Sequence, residues 1–335
     1  MNDPTTAVDL DLQIDALLDG VGVADLSSRA QIEVTGRDRA TFLHNLSTNE
    51  IRKLPVGSGC EAFFCDARGH IQAHAFIYCQ ADSLVIDSVP GASSLLPHLD
   101  RYLIREDVQL VDRTGEWCQL LVAGARSAER IGRLTGLDVA TLPRPLSIAA
   151  ATLDGIEVQV RRHDYAGPAS FSIVGRSEDR PALLSAISAA GATPCGDEAV
   201  EAARIAAGSP LFGVDITPRH LPQEVARGAR TISFVKGCYL GQETVARIDA
   251  LGHVNRLLCG LRCVDSGKSS DSQFAPGAAL TVDAKQVGEV TSSSRSARLG
   301  TIGLGYVRRE NALPGSRLES TSGAVEVVQL PQLRR

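Results

Sequence analysis

The chain has 335 residues and a formal net charge of −5, from 34 basic and 39 acidic side chains. At roughly 150 residues per domain, this length predicts two or three domains. With 44% hydrophobic and 22% charged residues, the composition excludes a disordered chain. No apolar run reaches the roughly 18 residues that cross a bilayer, and net acidity argues against a direct nucleic-acid partner, which needs cations to neutralise phosphates.

Residues 1–15 are acidic and polar and lack the basic start and apolar stretch of a secretory signal, so a cytoplasmic, membrane-free protein is expected. Ala30–Thr35 alternates polar and apolar side chains and ends at Gly36, like a strand entering a turn. Asp38 then opens a helix with Phe42, Leu43 and Leu46 on one face. Residues 71–79 and 83–89 read as paired strands, with the His side chains at 70 and 74 on a solvated face. Leu95, Leu96, Leu99 and Leu103 mark an amphipathic helix. Residues 117–123, 155–161 and 170–174 read as strands. Pro181 sits in the first turn of an Ala-rich helix, and residues 197–208 form another helix stopped by Gly. Beyond about residue 250 the helical period disappears. Short β segments at 256–263, 279–282, 288–292, 301–307 and 324–330 predict a barrel-like β domain, with a flexible Ser- and Gly-rich excursion at 265–277. No Gly-rich phosphate loop follows a strand.

The eight cysteines contain no Cys-x-x-Cys pair and no His at zinc spacing, so most are expected to be reduced, buried residues. Cys238 differs. In Thr231–Arg247, Ile232, Phe234 and Val235 are expected to anchor the chain to a core. Gly237 and Gly241 free the backbone where a side chain would clash, and Gln242 and Glu243 start a helix. That places Cys238 near a helix N-terminus with Lys236 before it, a setting that stabilises thiolate. A turn holding a buried Cys is the bland alternative. With only four Lys against 30 Arg, Lys236 stands out further.

The run Lys236-Gly237-Cys238-Tyr239-Leu240-Gly241-Gln242-Glu243 resembles the signature of the YgfZ family, within the wider group built like the glycine cleavage T-protein. Val34-Thr35-Gly36-Arg37-Asp38, Ser47-Thr48-Asn49-Glu50, Cys65-Asp66-Ala67-Arg68-Gly69 and Pro222-Gln223-Glu224 fall in that family's order. The resemblance implies an α+β fold: a three-domain ring around a folate-sized channel, with two discontinuous α+β domains and a C-terminal β-barrel. The expected division is 8–50 with 114–192, 51–113 with 193–250, and 251–335. It also implies tetrahydrofolate as cofactor and a role in assembling or maintaining iron–sulfur clusters in client enzymes, including a tRNA-thiolating one. Partners would be folate and client iron–sulfur enzymes or assembly proteins.

Cys238 is then the working thiol and a candidate ligand of a transient cluster shared with a partner, since a cluster needs about four ligands. Lys236 would hold thiolate or a folate carboxylate, and Tyr239 would stack on a pterin. Gly237, Gly241, Gln242, Glu243, Arg204, Asp66 and Arg68 complete the expected folate site, with Arg29, Arg227 and Arg230 as further candidates at its mouth. The alternative is a tetrahydrofolate-dependent aminomethyltransferase of the T-protein type. Its Gly-Gly-x-x-Asp-Asp segment corresponds to 68–73 here, which puts Ala73 at the catalytic Asp and disfavours that chemistry. Ala206 likewise replaces the Glu that reads a pterin edge.

Overall fold

The computed structural model describes residues 9–89, 95–264 and 274–332. Of the excursion expected at 265–277, residues 265–273 lie outside the described residues. Among the described residues no helix is long and apolar enough to cross a membrane.

Period-two patterning builds two sheets, each sealed on its outer face by helices. A five-stranded antiparallel sheet runs in the order Gly59–Cys65, Ile71–Cys79, Leu84–Ser88, Ala30–Thr35, Gln109–Asp112. Ile32, Val34, Phe64, Ala73, Ala75 and Ile77 form its outer face and pack on Phe42, Leu43 and Leu46 of the helix Arg39–Leu46, and on Leu95 and Leu99. A six-stranded sheet runs Thr193–Pro194, Gly22–Asp25, Trp117–Ala123, Ser170–Arg176, Ile156–His163, Ile148–Leu153. Its outer face packs on Ile131 of Ser127–Thr135 and on Leu183 and Ile187 of Arg180–Ala189, where Pro181 stands in the first turn as expected.

Ala30–Thr35, grouped above with residues 114–192, pairs instead with Leu84–Ser88 and Gln109–Asp112. The reason is local. The chain passes from this strand through one short helix into Gly59–Cys65, and neighbouring elements share one core.

The inner faces of the two sheets meet through a buried polar network. Arg29 Nε donates to Asp87 Oδ1 at 2.6 Å, and Gln119 Nε2 donates to Asp87 Oδ2 and Ser172 Oγ at 3.0 Å each. Gln31 Nε2 donates to Gln119 Oε1 at 2.7 Å, while Arg161 donates to Gln31 Oε1 at 2.8 Å. Each group has a partner, as burial demands.

The C-terminal strands close into a six-stranded barrel in the order Arg256–Cys263, Gly300–Arg308, Lys285–Ser296, Ala279–Val282, Arg317–Ser320, Gly323–Val328. The helix Asp197–Ala207, ended by Gly208 at φ +71°, lies between this barrel and the sheets.

Candidate functional site

The loop before the helix Gln242–Leu251 is strapped to residues 44–49. Thr48 Oγ1 donates to the Thr231 carbonyl at 2.6 Å, and Asn49 Nδ2 donates to that of Arg230 at 2.7 Å. Ser233 N–H donates to the Thr48 carbonyl, and Leu240 N–H to that of Asn45, both at 2.9 Å. Lys236 Nζ donates to the carbonyls of His44, Ser47 and Asn49 at 2.6–2.7 Å. Its three donors are therefore spent on backbone and cannot hold thiolate or a folate carboxylate. Burial pushes this amine down to about 8. Its Nζ also lies 4.8 Å from the Tyr239 ring centroid, and Tyr239 is itself buried, so that ring serves the loop rather than a pterin stack.

Cys238 stands between these anchors, and of the eight cysteines it alone is exposed. Ile232 is buried, as expected of an anchor. Phe234 is 50% and Val235 97% exposed, so these two are not anchors. With Lys236 and the 44–49 straps holding the loop, no apolar anchor is needed there.

Beyond Cys238, two turns interlock. Gly241 has φ +83°, and a Cβ on it would stand 2.5 Å from the Asp66 carbonyl; one on Gly69 would stand 2.9 Å from Thr244 Cβ. Asp66 Oδ1 accepts from its own turn, from Arg68 N and His70 N at 2.9 Å each, and Arg68 is exposed at the tip. Gln242 Oε1 accepts from Tyr239 N–H at 3.3 Å, and Glu243 is exposed. Asp66, Gln242 and Gly241 thus shape the turn. Gly237 has no positive φ, and no atom outside its neighbours comes within 3.6 Å of where its Cβ would be, so neither strain nor a clash requires glycine there.

A second polar centre faces the interior. His74, expected on a solvated face, is buried with Nε2 2.7 Å from Glu61 Oε1. Arg227 donates to both Glu61 oxygens, at 2.5 and 2.9 Å, and Arg230 grips Asp164 at 2.5 and 2.8 Å. Burial alone would raise the Glu61 carboxyl, but Arg227 and then His74 override this and hold it well below the ordinary range. Arg227 lines both a narrow cavity with Arg29, His74, Phe76 and Tyr165, and a cleft of about 630 Å³ with Asp164, Arg230, Arg298, Leu17 and Leu330. Neither these two spaces nor clefts of about 560, 540 and 780 Å³ elsewhere are lined by residues 231–241 of the loop. Glu61 was missed in the sequence. Its only signal is a lone charge inside the apolar run of Gly59–Cys65.

Residues 10–235 match the model of the GCVT N-terminal domain, and residues 256–331 that of the glycine cleavage T-protein C-terminal barrel domain. The chain belongs to the glycine cleavage T-protein family. A chloroplastic Arabidopsis thaliana protein, provisionally named a transferase, is 32% identical over 97% of this chain and 74% of its own length. An aminomethyltransferase of Geobacillus kaustophilus is 30% identical over 89% of this chain and 82% of its own. The crystal structure of aminomethyltransferase T from Bartonella henselae superposes with a TM-score of 0.85 at 20% identity, covering 97% of this chain and 90% of that one. That agreement bears out the α+β body with a C-terminal barrel.

Within this T-protein fold two further expectations change. Arg204 is buried and spends all five donors inside the protein: on both Glu201 oxygens, Asp215 Oδ2, the Ser209 carbonyl and Ser292 Oγ. It has none left for a ligand. Ala73 faces the helix-covered core, not the cavity. Side chains alternate along a strand, so the inward group here is His74.

Proposed function

We propose that this T-protein family member is a folate-dependent factor for iron–sulfur cluster assembly or maintenance, of the YgfZ type. The observation that carries the reading is Cys238, exposed on a loop tied down on both sides by Lys236 and Leu240. A thiol presented in this way suits transient ligation or thiol chemistry with a client. Among the described residues no group of three or more His, Cys, Asp or Glu is placed to hold a metal ion, so a cluster on Cys238 would draw its other ligands from a partner.

The cleft lined by Asp164, Arg227, Arg230 and Arg298 has the volume of a small-molecule site, and an anionic folate tail there would compete with the carboxylates its arginines already hold: Glu61 on Arg227, Asp164 on Arg230, and Asp15 and Asp19 on Arg298. The pterin-reading carboxylate is absent at Ala206, which is fully buried. Aminomethyl transfer needs a cavity base near the cofactor nitrogen. The inward residue on the strand Ile71–Cys79 is His74 and not a carboxylate, Glu61 is held too acidic to accept a proton at neutral pH, and Asp164, which lines the cleft, is engaged by Arg230 through both oxygens.

In a strain lacking its own factor, Cys238→Ala is expected to abolish support of iron–sulfur enzymes while leaving the melting temperature unchanged, because the side chain is exposed. Full support by that variant would overturn the proposal. Calorimetric titration with tetrahydrofolate should show binding. Ammonia release from an aminomethyl-loaded carrier protein would favour the transferase instead.

A further inference from the structure

The polar network between the two sheets is out of charge balance. Arg29 and Arg161 are both buried beside one buried carboxylate, Asp87. Arg29 and Gln119 hydrogen-bond the two Asp87 oxygens, whereas Arg161 Nη1 stays 3.6 Å from Oδ2. Arg161 donates only to neutral oxygens, from Nε to Gln159 Oε1 at 2.6 Å and from Nη1 to Gln31 Oε1 at 2.8 Å. The ionised groups acting on it are Asp87 and Arg29; His163 nearby is pushed down to about 4 by burial and is neutral at pH 7. Burial lowers the Arg161 guanidinium below its ordinary value, and Asp87 does not offset this; for Arg29, burial is outweighed, chiefly by Asp87. A buried cation without a counter-charge of its own is costly.

This guanidinium opens outward. Among the described residues Arg161 Nη2 has no hydrogen-bond partner, yet the protein does not seal it in. Arg161 lines a cleft of about 540 Å³, and strand register orders the walls of that cleft. Arg161 pairs with Ser172 and Ile148. One step along the strands, about 7 Å away, Val174, Gln159 and Ala150 are aligned, and beyond them Trp117 pairs with Arg176. Gln159 turns its Oε1 to Arg161, which leaves its Nε2, itself without a partner, as a second donor beside Nη2.

We propose that this cleft binds a small aromatic monocarboxylate, with one carboxylate oxygen on Arg161 Nη2, the other on Gln159 Nε2, and the ring against Trp117 and Val174. The class of ligand follows from the charges and the walls. One negative charge is missing and one guanidinium nitrogen is free, so a doubly charged phosphate would be left half-neutralised. Glu157, exposed at the cleft and making no ion pair with Arg161, repels a second negative charge. Trp117, Val174 and Ala150 offer apolar surface to a flat ring. The cleft shares no lining residue with the two cavities of Arg227 and does not include Cys238, so the inference goes beyond the iron–sulfur reading and does not depend on it.

The test is the fluorescence of Trp117, the single Trp of the chain, in the full-length protein titrated with benzoate. Benzoate should change the emission saturably. Benzamide, of similar shape without the charge, should bind at least about tenfold more weakly. Arg161→Met should lose benzoate affinity by the same factor; Asp87 keeps Arg29 and Gln119 in that variant, so it should fold. Ala150→Phe, made at an exposed position, leaves Arg161 in place, fills the cleft and should also abolish binding. Inorganic phosphate should not compete. Equal affinity for benzoate and benzamide, displacement by phosphate, or no saturable change at all would each overturn the proposal. So would unchanged benzoate affinity in Arg161→Met or, if that variant does not fold, in Ala150→Phe. None of these results bears on complementation by Cys238→Ala.

Discussion

Glu61 shows how much one buried charge decides. It receives Arg227 on both oxygens and His74 on one, with Arg230 Nε 3.3 Å from Oε2. Glu61→Gln keeps the shape and removes the charge, leaving the arginines facing a neutral amide in the interior. At pH 7 the expected loss is about 3–5 kcal/mol. The pH dependence has a definite sign. The folded carboxyl lies below its ordinary value, so its stabilisation is complete above the unfolded value of about 4.3 and is lost as pH falls below it. Urea unfolding at pH 7, 4 and 3 should show the gap between wild type and Glu61→Gln narrowing with acid. A gap constant with pH would assign the loss to packing instead.

Among the elements, the interlocked turns at Asp66–Gly69 and Gly241 are the joint that orients the loop. Gly241→Ala would force a left-handed backbone on a residue with a Cβ and drive that Cβ into the Asp66 carbonyl. The expected cost is about 2–4 kcal/mol, read as a lower midpoint in denaturant, together with looser protection of the 236–241 amides in hydrogen exchange. Gly237→Ala should show neither effect. The sequence alone does not distinguish these two glycines, because the difference lies in φ and in a turn far away in the chain. The same holds for Lys236, whose acceptors are 187–192 residues away. By contrast, Ile71–Cys79, bounded by turns, and Trp117–Ala123, which ends in a continuous apolar run, were legible from local pattern. The helix Ser127–Thr135 was not, although Ala128, Ile131 and Leu134 recur every three residues and pack on the sheet: the stripe is one residue wide, only Ile131 on it is fully buried, and it runs among the charged Glu129, Arg130 and Arg133. Arg317–Ser320 was missed for a similar reason: it is four residues long and buries Leu318 alone.

At the scale of the molecule, the barrel is joined to the sheets by one apolar seam and one polar latch. Ile205, Ile216, Leu258, Ile302 and Tyr306 form the seam. The latch centres on Asp215, which accepts from Arg204 at 2.8 Å, Leu211 N–H at 2.9 Å, Thr291 at 2.5 Å and Ser292 at 2.7 Å. The period change near residue 250 made the barrel legible as a separate unit. Its attachment was not legible, since Arg204 read as a ligand contact and Asp215 carried no motif. Because Asp215 is fully buried, Arg204→Met should strand its charge and cost about 3–5 kcal/mol. The loss should be greatest at the joint, so limited proteolysis should cut the connection at 252–255 faster than in wild type. Adding Asp215→Leu removes the stranded charge and should recover part of the stability, although Thr291 and Ser292 then lose an acceptor. If the double variant is no more stable than Arg204→Met, charge burial is not what holds the latch, and the seam alone joins the barrel to the sheets.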